Sequence, residues 1–207
     1  MNNLDRLLLH IKKIKAIADI GFLYSKSEYD TERYNELLTI SFELLHEVTG
    51  KEIEMIKDLY FDVKEYPTAK VDIRGILLKD GKILLVRESM DGKWSLPGGW
   101  ADIGYSPREV VIKEFKEETG LDIVTEKLLA VFDKKMHPHP PQAFYVYKLV
   151  FLCTAGSSEL QKGFDILDIG YFEVNNLPEL SEDGILKSQI QLLYKKIESG
   201  DNITYFD

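Results

Sequence analysis

Three glutamates at short spacing provide the most specific chemical signal in the sequence. Glu114, Glu117 and Glu118 lie in one helical stretch, and at about 100° per residue their side chains span only about 100° of the helix circumference. Carboxylates placed three or four residues apart repel one another on a helix. A hard divalent cation such as Mg²⁺ or Mn²⁺ binds carboxylate oxygens and removes that repulsion. The pattern predicts a metal site, with a solvated acidic helix face as the ordinary alternative.

The residues around this stretch define where the helix begins and ends. Ser106 and Glu109 have the spacing of a capping box, and Pro107 fits the first helical position. Gly120 suits the left-handed conformation that ends many helices. A glycine-containing loop, which begins at Gly98, leads into the helix. These signals predict a well-defined helix that presents its glutamates next to a loop.

The stretch from Gly99 to Leu121 resembles the Nudix box, whose signature is G-x5-E-x7-R-E-U-x-E-E-x-G-U. The matching residues are Gly99, Glu114, Phe115, Glu117, Glu118, Gly120 and Leu121. So many matches at fixed spacing are far more specific than a lone glycine motif. The resemblance implies a Nudix hydrolase, which cleaves the phosphoanhydride of a nucleoside diphosphate linked to a second group X. It also implies an α/β fold, the Nudix α/β/α sandwich with a mixed β-sheet.

The same resemblance implies roles for individual residues. Glu114, Glu117 and Glu118 are expected to be both catalytic and metal-binding, with Mg²⁺ as the cofactor and Mn²⁺ as its alternative. A backbone carbonyl of the loop, from Gly98 or Gly99, is expected to complete the metal ligands. The base that activates the attacking water is left open among three acidic residues, namely Glu118, Glu159 and Asp165.

Two positions depart from the family signature. Tyr105 stands where the family has its first glutamate, and Lys113 stands where it has an arginine. In the family those two residues form an ion pair that braces the loop against the helix. We predict that the Tyr105 hydroxyl accepts a hydrogen bond from Lys113 in their place. An exposed ion pair between Lys113 and Glu109, four residues apart, is the alternative.

Residues outside the box are candidates for substrate binding. Arg74 matches a position that often reaches the diphosphate in the family, and its planar guanidinium suits phosphate oxygens; an exposed strand arginine is the alternative. Trp94 and Trp100 flank the glycine loop and can either stack on a nucleobase or simply pack. His137 and His139 lie in a proline-rich loop, where they can contact a phosphate or a base or transfer protons, although surface histidines are more often inert.

Composition limits the classes of function. The net charge of −9 and the pI near 5.1 argue against broad electrostatic binding of nucleic acid or anionic membranes. The single cysteine, Cys153, lies in an apolar run and predicts a buried strand residue in a reducing compartment, so we expect a cytoplasmic protein. No apolar run approaches the roughly 20 residues that span a bilayer, and we expect no membrane partner.

Periodicity divides the chain near Pro67. Residues 1–66 carry apolar residues at helical spacing and predict a small all-helical domain for dimerisation or packing, whereas residues 67–207 predict the Nudix hydrolase domain, a mixed sheet covered by helices. In the first part, we predict a helix with an apolar stripe from Leu4 to Phe22, a second helix that starts at Asp30 or Thr31 and ends at Gly50, and a third over Lys51–Tyr60. In the second part, we predict strands over Lys70–Leu78, Lys82–Arg87, Leu128–Lys134, Phe144–Thr154 and Asp168–Glu173. A turn at Asp80–Gly81 joins the first two strands, and a last helix covers 183–199.

The helical segment and the residues that follow it, 66–74, also resemble a Nudix subgroup with an N-terminal helical domain. The closest type is CDP-choline pyrophosphatase. This resemblance implies a homodimer in which the helices take part. It also implies a small-molecule substrate, a nucleoside diphosphate linked to choline or a sugar.

Two other functions are left open by the sequence. The same metal chemistry can process RNA ends or act as an exonuclease, although the acidic chain does not favour RNA as a partner. The departures at Tyr105 and Lys113 also fit a catalytically weak module that senses nucleotides. Turnover of a substrate separates the two enzymes from the sensor.

Overall fold

The structure, a computed structural model, describes residues 3–58, 66–102, 104–142, 144–156 and 159–207. The chain divides into two compact units, the first formed by Met1–Ala69 with Pro141–Tyr145 and the second by Lys70–Pro140 with Val146–Asp207. The helices are α1 (Asn3–Tyr24), α2 (Glu28–Thr49), α3 (Ile53–Asp58), α4 (Pro107–Thr119) and α5 (Lys187–Glu198). The strands are β1 (Lys70–Lys79), β2 (Lys82–Glu88), β3 (Trp94–Ser95), β4 (Gly98–Trp100), β5 (Ile123–Asp133), β6 (Val146–Ala155), β7 (Ile166–Phe172) and β8 (Tyr205–Phe206).

Helices α1 and α2 pack against each other in the first unit. Leu8 and Ile11 of α1 form a small core with Leu45 of α2 and Ile56 of α3. The stripe that the spacing predicted from Leu4 to Phe22 is therefore buried only in part, at Leu8, Ile11 and Ala18. Other large apolar side chains of α1 and α2 are exposed in this chain, namely Leu4, Leu7, Ile14, Ile17, Phe22, Tyr24, Tyr29, Leu37 and Ile40. None of the described helices is both long and apolar enough to cross a membrane.

The ends of these helices differ in part from the prediction. α2 begins directly after Ser27, whose extended backbone makes it the N-cap residue, so the predicted start at Asp30 or Thr31 was wrong. α2 ends as predicted at Gly50, which has a φ of 66°. The third helix is shorter than the predicted span 51–60, since it covers Ile53–Asp58, and the last two predicted residues lie outside the described chain.

A mixed sheet forms the second unit, as predicted. Its strands follow the order β3-β2-β1-β6-β5-β8, with β4 paired to β1 and β7 paired to β2. The β1–β6 and β5–β8 pairs are parallel, and the remaining described pairs are antiparallel. The predicted turn at Asp80–Gly81 joins β1 to β2, and both of its residues have positive φ.

Helices α4 and α5 cover opposite faces of this sheet. Val110, Val111 and Phe115 of α4 belong to one apolar cluster, whereas Ile190 and Leu193 of α5 belong to another. Strand β1 contributes to both clusters because its successive side chains point to opposite faces. Helices on both faces of a mixed sheet confirm the predicted α/β fold class.

Several strand bounds depart from the prediction. β5 begins at Ile123 and not at Leu128, because buried Thr125 extends the alternation of inward and outward residues toward the N-terminus. β6 starts two residues later than predicted (146 against 144), β7 starts two residues earlier (166 against 168), and α5 covers 187–198 of the predicted 183–199. Strands β3, β4 and β8 have two or three residues each, too few to show a period. Cys153 is buried in β6, as predicted.

Candidate active site beside helix α4

Helix α4 is held at both ends by the residues that the sequence predicts. The Ser106 side chain accepts a hydrogen bond from the Glu109 N–H, and the Glu109 carboxylate accepts one from the Ser106 N–H at 2.7 Å, which forms the predicted capping box. Pro107 is the first helical residue, and Gly120 ends the helix with a φ of 72°. The helix therefore presents its glutamates from a fixed frame.

Glu118 points inward, toward the glycine loop. It is buried, and its Oε2 accepts a hydrogen bond from the Gly98 N–H at 2.9 Å. Burial raises the pKa of this carboxyl to about 8, although Arg74 and the bond from Gly98 both act to lower it. A cation bound at this position would favour the ionised carboxylate.

Both glycines of β4 are required by close approach of other groups. Gly98 has a φ of 140°, and a Cβ there would overlap the carbonyl oxygen of Ile73. A Cβ on Gly99 would lie 2.7 Å from Oε1 of Glu114, which occupies the space that the missing side chain leaves. Burial also raises the pKa of Glu114. Glu114 and Glu118 therefore lie together beside the two glycines.

The backbone of β4 distinguishes between the two candidate carbonyl ligands. The Pro97 carbonyl accepts from Gly75 of β1, and the Ala101 N–H donates to Val71 of β1. Because backbone groups alternate in direction along an antiparallel pair, the Gly98 carbonyl points away from β1, on the side where Glu118 binds. This geometry favours Gly98.

Glu117 is the one member of the trio that is set apart. Its side chain is 58% exposed, and its carboxylate lies 3.8 Å from the Lys113 ammonium. In the described part of the chain, no three His, Cys, Asp or Glu side chains are gathered closely enough to hold a metal. The structure therefore brings two of the predicted glutamates together and leaves the third beside Lys113.

The groups beside β4 fit a hard divalent cation. They are carboxylate oxygens and a backbone carbonyl, the donor types that Mg²⁺ prefers. The missing Cβ of Gly99 makes room for the Glu114 carboxylate. Glu118 is buried against a neutral N–H group, and its own pKa is raised. A cation near these two carboxylates would compensate their burial.

Arg74 is buried, so the alternative of an exposed strand arginine was wrong. Its Nε donates to Asp72 at 2.9 Å, and its Nη1 donates to Glu88 at 3.0 Å, to Ser95 at 3.2 Å and to the Leu96 carbonyl at 3.0 Å. Nη2 has no hydrogen-bond partner among the described residues, and the side chain keeps 11% of its exposure. The guanidinium is thus fixed through Nε and Nη1, and contact of Nη2 with a substrate stays a prediction.

Sequence analysis did not identify the residues that hold Arg74 in place. Asp72 lies between Arg74 and Lys148, whose fully buried ammonium bonds to Asp72. Burial acts to raise the pKa of Asp72, but the two cations outweigh it and lower that pKa; burial lowers the pKa of Lys148 to about 8. The available signal was a lysine at an inward position of a buried strand, between Val146 and Val150.

The predicted bond between Lys113 and the Tyr105 hydroxyl was wrong in its geometry. Lys113 donates to Asp102 at 2.9 Å, and its ammonium lies 5.6 Å from the centroid of the Tyr105 ring. The bond to Asp102 raises the pKa of Lys113. Glu109, the alternative partner, bonds to Ser106. The loop is therefore braced against the helix by Asp102, a residue outside the signature, together with the face of Tyr105.

The two histidines of the proline-rich loop bond to protein groups. His137 Nε2 lies 3.0 Å from the Asp207 carboxylate, and His139 Nδ1 lies 2.5 Å from the Glu182 carbonyl. Burial lowers the pKa of His139 to about 4, so it is neutral near pH 7 and poorly suited to the proton transfer that we considered. Its Nε2 is buried without a hydrogen-bond partner among the described residues. Contact of either histidine with substrate stays a prediction.

Trp94 occupies a packed position. Its ring meets Phe172 edge-on, with centroids 4.6 Å apart and an interplanar angle of 71°. It also packs against the apolar cluster under α5. This contact corresponds to the packing alternative, and stacking of Trp94 on a base stays a prediction.

The segment before β7 is attached to the end of α4. The Gly163 N–H donates to the Glu118 carbonyl at 3.2 Å, and a Cβ on Gly163 would overlap the Glu117 carbonyl. Glu159 and Asp165 flank this attachment point. Glu118 is on α4, and Glu159 and Asp165 are on the segment that is attached to the end of α4. All three residues therefore stay candidates for the base that activates water.

Comparisons with known proteins identify the family of the chain. The profile of the NUDIX domain matches residues 66–190, and the profile of the UDP-X-like, N-terminal oligomerisation domain matches residues 5–60. The putative ADP-ribose pyrophosphatase YjhB of Bacillus subtilis is 42% identical over 196 residues, which cover 95% of this chain and 94% of that protein. The ADP-ribose pyrophosphatase of Methanocaldococcus jannaschii is 36% identical over 130 residues, 59% of this chain and 74% of that protein.

Solved structures show the same relationship. A UDP-X diphosphatase is 33% identical with a TM-score of 0.64, and the match covers 99% of both chains. An ADP-ribose pyrophosphatase from Streptococcus suis is 33% identical with a TM-score of 0.59, over 68% of this chain and all of that one. These relatives do not show the specific likeness to CDP-choline pyrophosphatase that the sequence implied. The chain belongs to the Nudix hydrolase family of pyrophosphatases, with an N-terminal domain of the UDP-X type.

Proposed function

We propose that this protein is a Mg²⁺-dependent pyrophosphatase that hydrolyses a nucleoside diphosphate linked to X. Its products are a nucleoside monophosphate and phosphoryl-X. The observation that carries the proposal is the gathering of Glu114 and Glu118 at the glycines of β4, where a cation is electrostatically favoured. Water must attack one phosphorus atom of the anhydride while negative charge develops on its oxygens.

The metal site in this proposal uses three carboxylates and one carbonyl. Glu114, Glu118 and the Gly98 carbonyl would hold the cation, and Glu117, which lies beside Lys113 without the metal, would supply the third carboxylate. When bound, Mg²⁺ would neutralise charge on the phosphoryl oxygens and lower the pKa of a bound water. Mn²⁺ offers a similar preference for oxygen ligands.

Arg74 is the proposed diphosphate contact on the protein side. Its Nε and Nη1 are occupied by Asp72 and by groups of β2 and the segment before β4, which leaves Nη2 to donate to a phosphate oxygen. An arginine already fixed in this way loses little side-chain entropy when it binds substrate. The proton of the attacking water goes to Glu118 or to one of the two acids on the segment before β7.

We propose a sugar as X. Support comes from the relatives, which are named for UDP-X and for ADP-ribose. CDP-choline is kept as a test substrate because the sequence resemblance first pointed to it. RNA is not favoured, since the net charge of −9 opposes binding to a polyanion.

The helical unit is proposed to form a homodimer. Its profile is described as an oligomerisation domain, and α1 and α2 expose many large apolar side chains. Large exposed apolar side chains in such number are typical of a surface that pairs with another chain. Sedimentation equilibrium should give twice the monomer mass. Ile17→Lys places a charge among the exposed apolar side chains of α1 and should shift the measured mass toward that of the monomer.

A substrate panel tests the reaction. UDP-glucose, ADP-ribose, CDP-choline, a nucleoside triphosphate and a short 5′-triphosphate RNA should each be incubated with Mg²⁺ or Mn²⁺, and the products identified by mass. We expect turnover of the sugar nucleotides to a monophosphate and a sugar phosphate. Release of mononucleotides or pyrophosphate from RNA would instead favour the RNA function, and tight binding without turnover would favour the sensor.

A matched pair of variants separates site chemistry from fold. Glu117→Gln combined with Glu118→Gln should abolish turnover, as should chelation of the metal. Glu109→Gln makes the same chemical change on the same helix but keeps the capping box, because glutamine also serves at that position. Hydrolysis that survives in the double variant with metal chelated would contradict the proposal.

A further inference from the structure

The two tryptophans of the chain have different surroundings in the second unit. Trp94 is packed edge-on against Phe172 at 4.6 Å. Trp100, the last residue of β4, is 47% exposed. An aromatic side chain that is half exposed at the end of the glycine strand can stack on a planar ligand.

Strand register relates Trp100 to the catalytic groups. In the β1–β4 pair, Trp100 is opposite Asp72 and Gly98 is opposite Arg74. Directly opposed residues share a face of the sheet, so the indole lies on the face that carries Arg74. It is two residues beyond Gly98, which is about 7 Å along the strand.

A cation already lies close to this indole. The Lys70 ammonium is 5.7 Å from the centroid of the Trp100 ring, and Lys70 is two residues before Asp72 on the same face of β1. Such a cation–π contact restrains the ring and orients it. An oriented indole loses less freedom when a second flat group stacks on it.

We propose that Trp100 is the stacking platform for the nucleobase of the substrate. This inference rests on the proposed function, because it requires the diphosphate to lie at Gly98 and Arg74. From there, one ribose carries the base along β4 to the indole. Stacking uses the π-face that all bases share, so the platform gives affinity for nucleotides with little preference among bases.

The chain permits a direct test because it contains only two tryptophans. Trp94→Phe keeps an aromatic ring on Phe172 and leaves Trp100 as the only indole. The Trp94→Phe variant should be titrated with UMP, AMP and CMP in the presence of Mg²⁺ while the fluorescence of Trp100 is recorded. Ribose 5-phosphate, which lacks a base, is the control. We expect quenching by the three nucleotides and none by ribose 5-phosphate. Equal quenching by ribose 5-phosphate would overturn the proposal.

Variants of Trp100 give a second readout that does not need the Trp94→Phe background. Trp100→Ala should raise the Kd for UMP by about 5- to 150-fold, the change that corresponds to about 1–3 kcal/mol for a stacked base. Trp100→Phe should keep most of the wild-type affinity for UMP. The Kd for ribose 5-phosphate should not change in either variant. A Kd for UMP that is unchanged in Trp100→Ala would contradict the platform.

Failure of the platform can be distinguished from failure of the enzyme. Base-dependent quenching without turnover of any diphosphate would support the platform and contradict the pyrophosphatase function. Turnover of sugar nucleotides with no base-dependent quenching would support the function and contradict the platform.

Discussion

Two buried carboxylates of the second unit, Glu118 and Asp72, meet opposite electrostatic conditions. Burial raises the pKa of Glu118 to about 8, whereas Arg74 and Lys148 outweigh burial at Asp72 and lower its pKa. Asp72 accepts from both of those cations, while Glu118 accepts from the neutral Gly98 N–H. Asp72 is thus hydrogen-bonded to two cations, whereas the described hydrogen bond of Glu118 comes from a neutral backbone group and Arg74 acts on it only at longer range.

This difference separates a structural carboxylate from a functional one. A buried charge that is paired and hydrogen-bonded maintains the fold, and removal of its partner is costly. A buried carboxyl with a strongly raised pKa in a cleft is typical of a site that binds or reacts. We therefore expect variants at the two places to affect different properties, activity at Glu118 and stability at Asp72.

The largest expected effect is on catalysis. Glu118→Gln keeps an acceptor for the Gly98 N–H but removes the charge, so kcat for the best sugar nucleotide should fall by about 10³-fold. Without metal, the thermal midpoint should be unchanged or higher, because a buried ionisable group becomes a neutral amide. Parallel kinetics and differential scanning fluorimetry measure both quantities. A large drop in the midpoint would show that Glu118 is as structural as Asp72.

The second effect is on stability. Lys148→Met leaves the buried Asp72 with Arg74 as its remaining cation, and the free energy of unfolding should fall by about 3 kcal/mol or more in urea denaturation. Lys116→Met is the matched control, since it removes a lysine whose ion pair with Asp122 is exposed and should cost less than about 1 kcal/mol. Equal losses in the two variants would contradict the contrast between the buried and the exposed pair.

The third effect is on the pH dependence of stability without metal. Glu118 has a folded pKa of about 8 against an ordinary 4.5, so the folded state binds this proton more tightly than the unfolded state. Its contribution to stability is fully present below pH 4.5 and is lost as the pH rises through 8. Chelated wild type should therefore lose stability over this range relative to Glu118→Gln.

Added Mg²⁺ provides the control for that measurement. The metal binds the ionised carboxylate of the folded state, so excess Mg²⁺ should remove most of the loss between pH 4.5 and 8 in the wild type. If the metal-free wild type and Glu118→Gln show parallel curves of stability against pH, Glu118 is not the group that titrates. Urea denaturation at intervals of pH, with and without metal, gives the four curves needed.

Local sequence predicted one half of this contrast and not the other. The helix that bears Glu118 has its cap, its stop glycine and its glutamates within one continuous stretch, so spacing alone located them. The group formed by Asp72, Arg74 and Lys148 depends on a parallel pairing of β1 with β6, which joins residues 76 positions apart. No local period contains that pairing.

The orientation of side chains was also beyond sequence reasoning. Helical spacing placed Glu114, Glu117 and Glu118 on nearly one face, but the Glu117 side chain is exposed beside Lys113, whereas Glu114 and Glu118 lie beside the glycines of β4. The same limit applies to Trp94 and Trp100, which are equally aromatic in sequence and differ in exposure only once Phe172 packs on the first of them. Spacing predicts which residues can meet, and packing decides which of them do.

The smallest expected effect concerns the brace between the loop and α4. Lys113 donates to Asp102 and lies over the ring of Tyr105, so the Tyr105 hydroxyl is not needed. Tyr105→Phe should leave kcat and the thermal midpoint unchanged, whereas Tyr105→Ala removes the ring and should cost about 0.5–1 kcal/mol. Asp102→Asn weakens an exposed ion pair and should lower the thermal midpoint only slightly. If Tyr105→Phe loses as much stability as Tyr105→Ala, the result would support the hydrogen bond between the Tyr105 hydroxyl and Lys113. The pair would then replace the family's glutamate and arginine more directly.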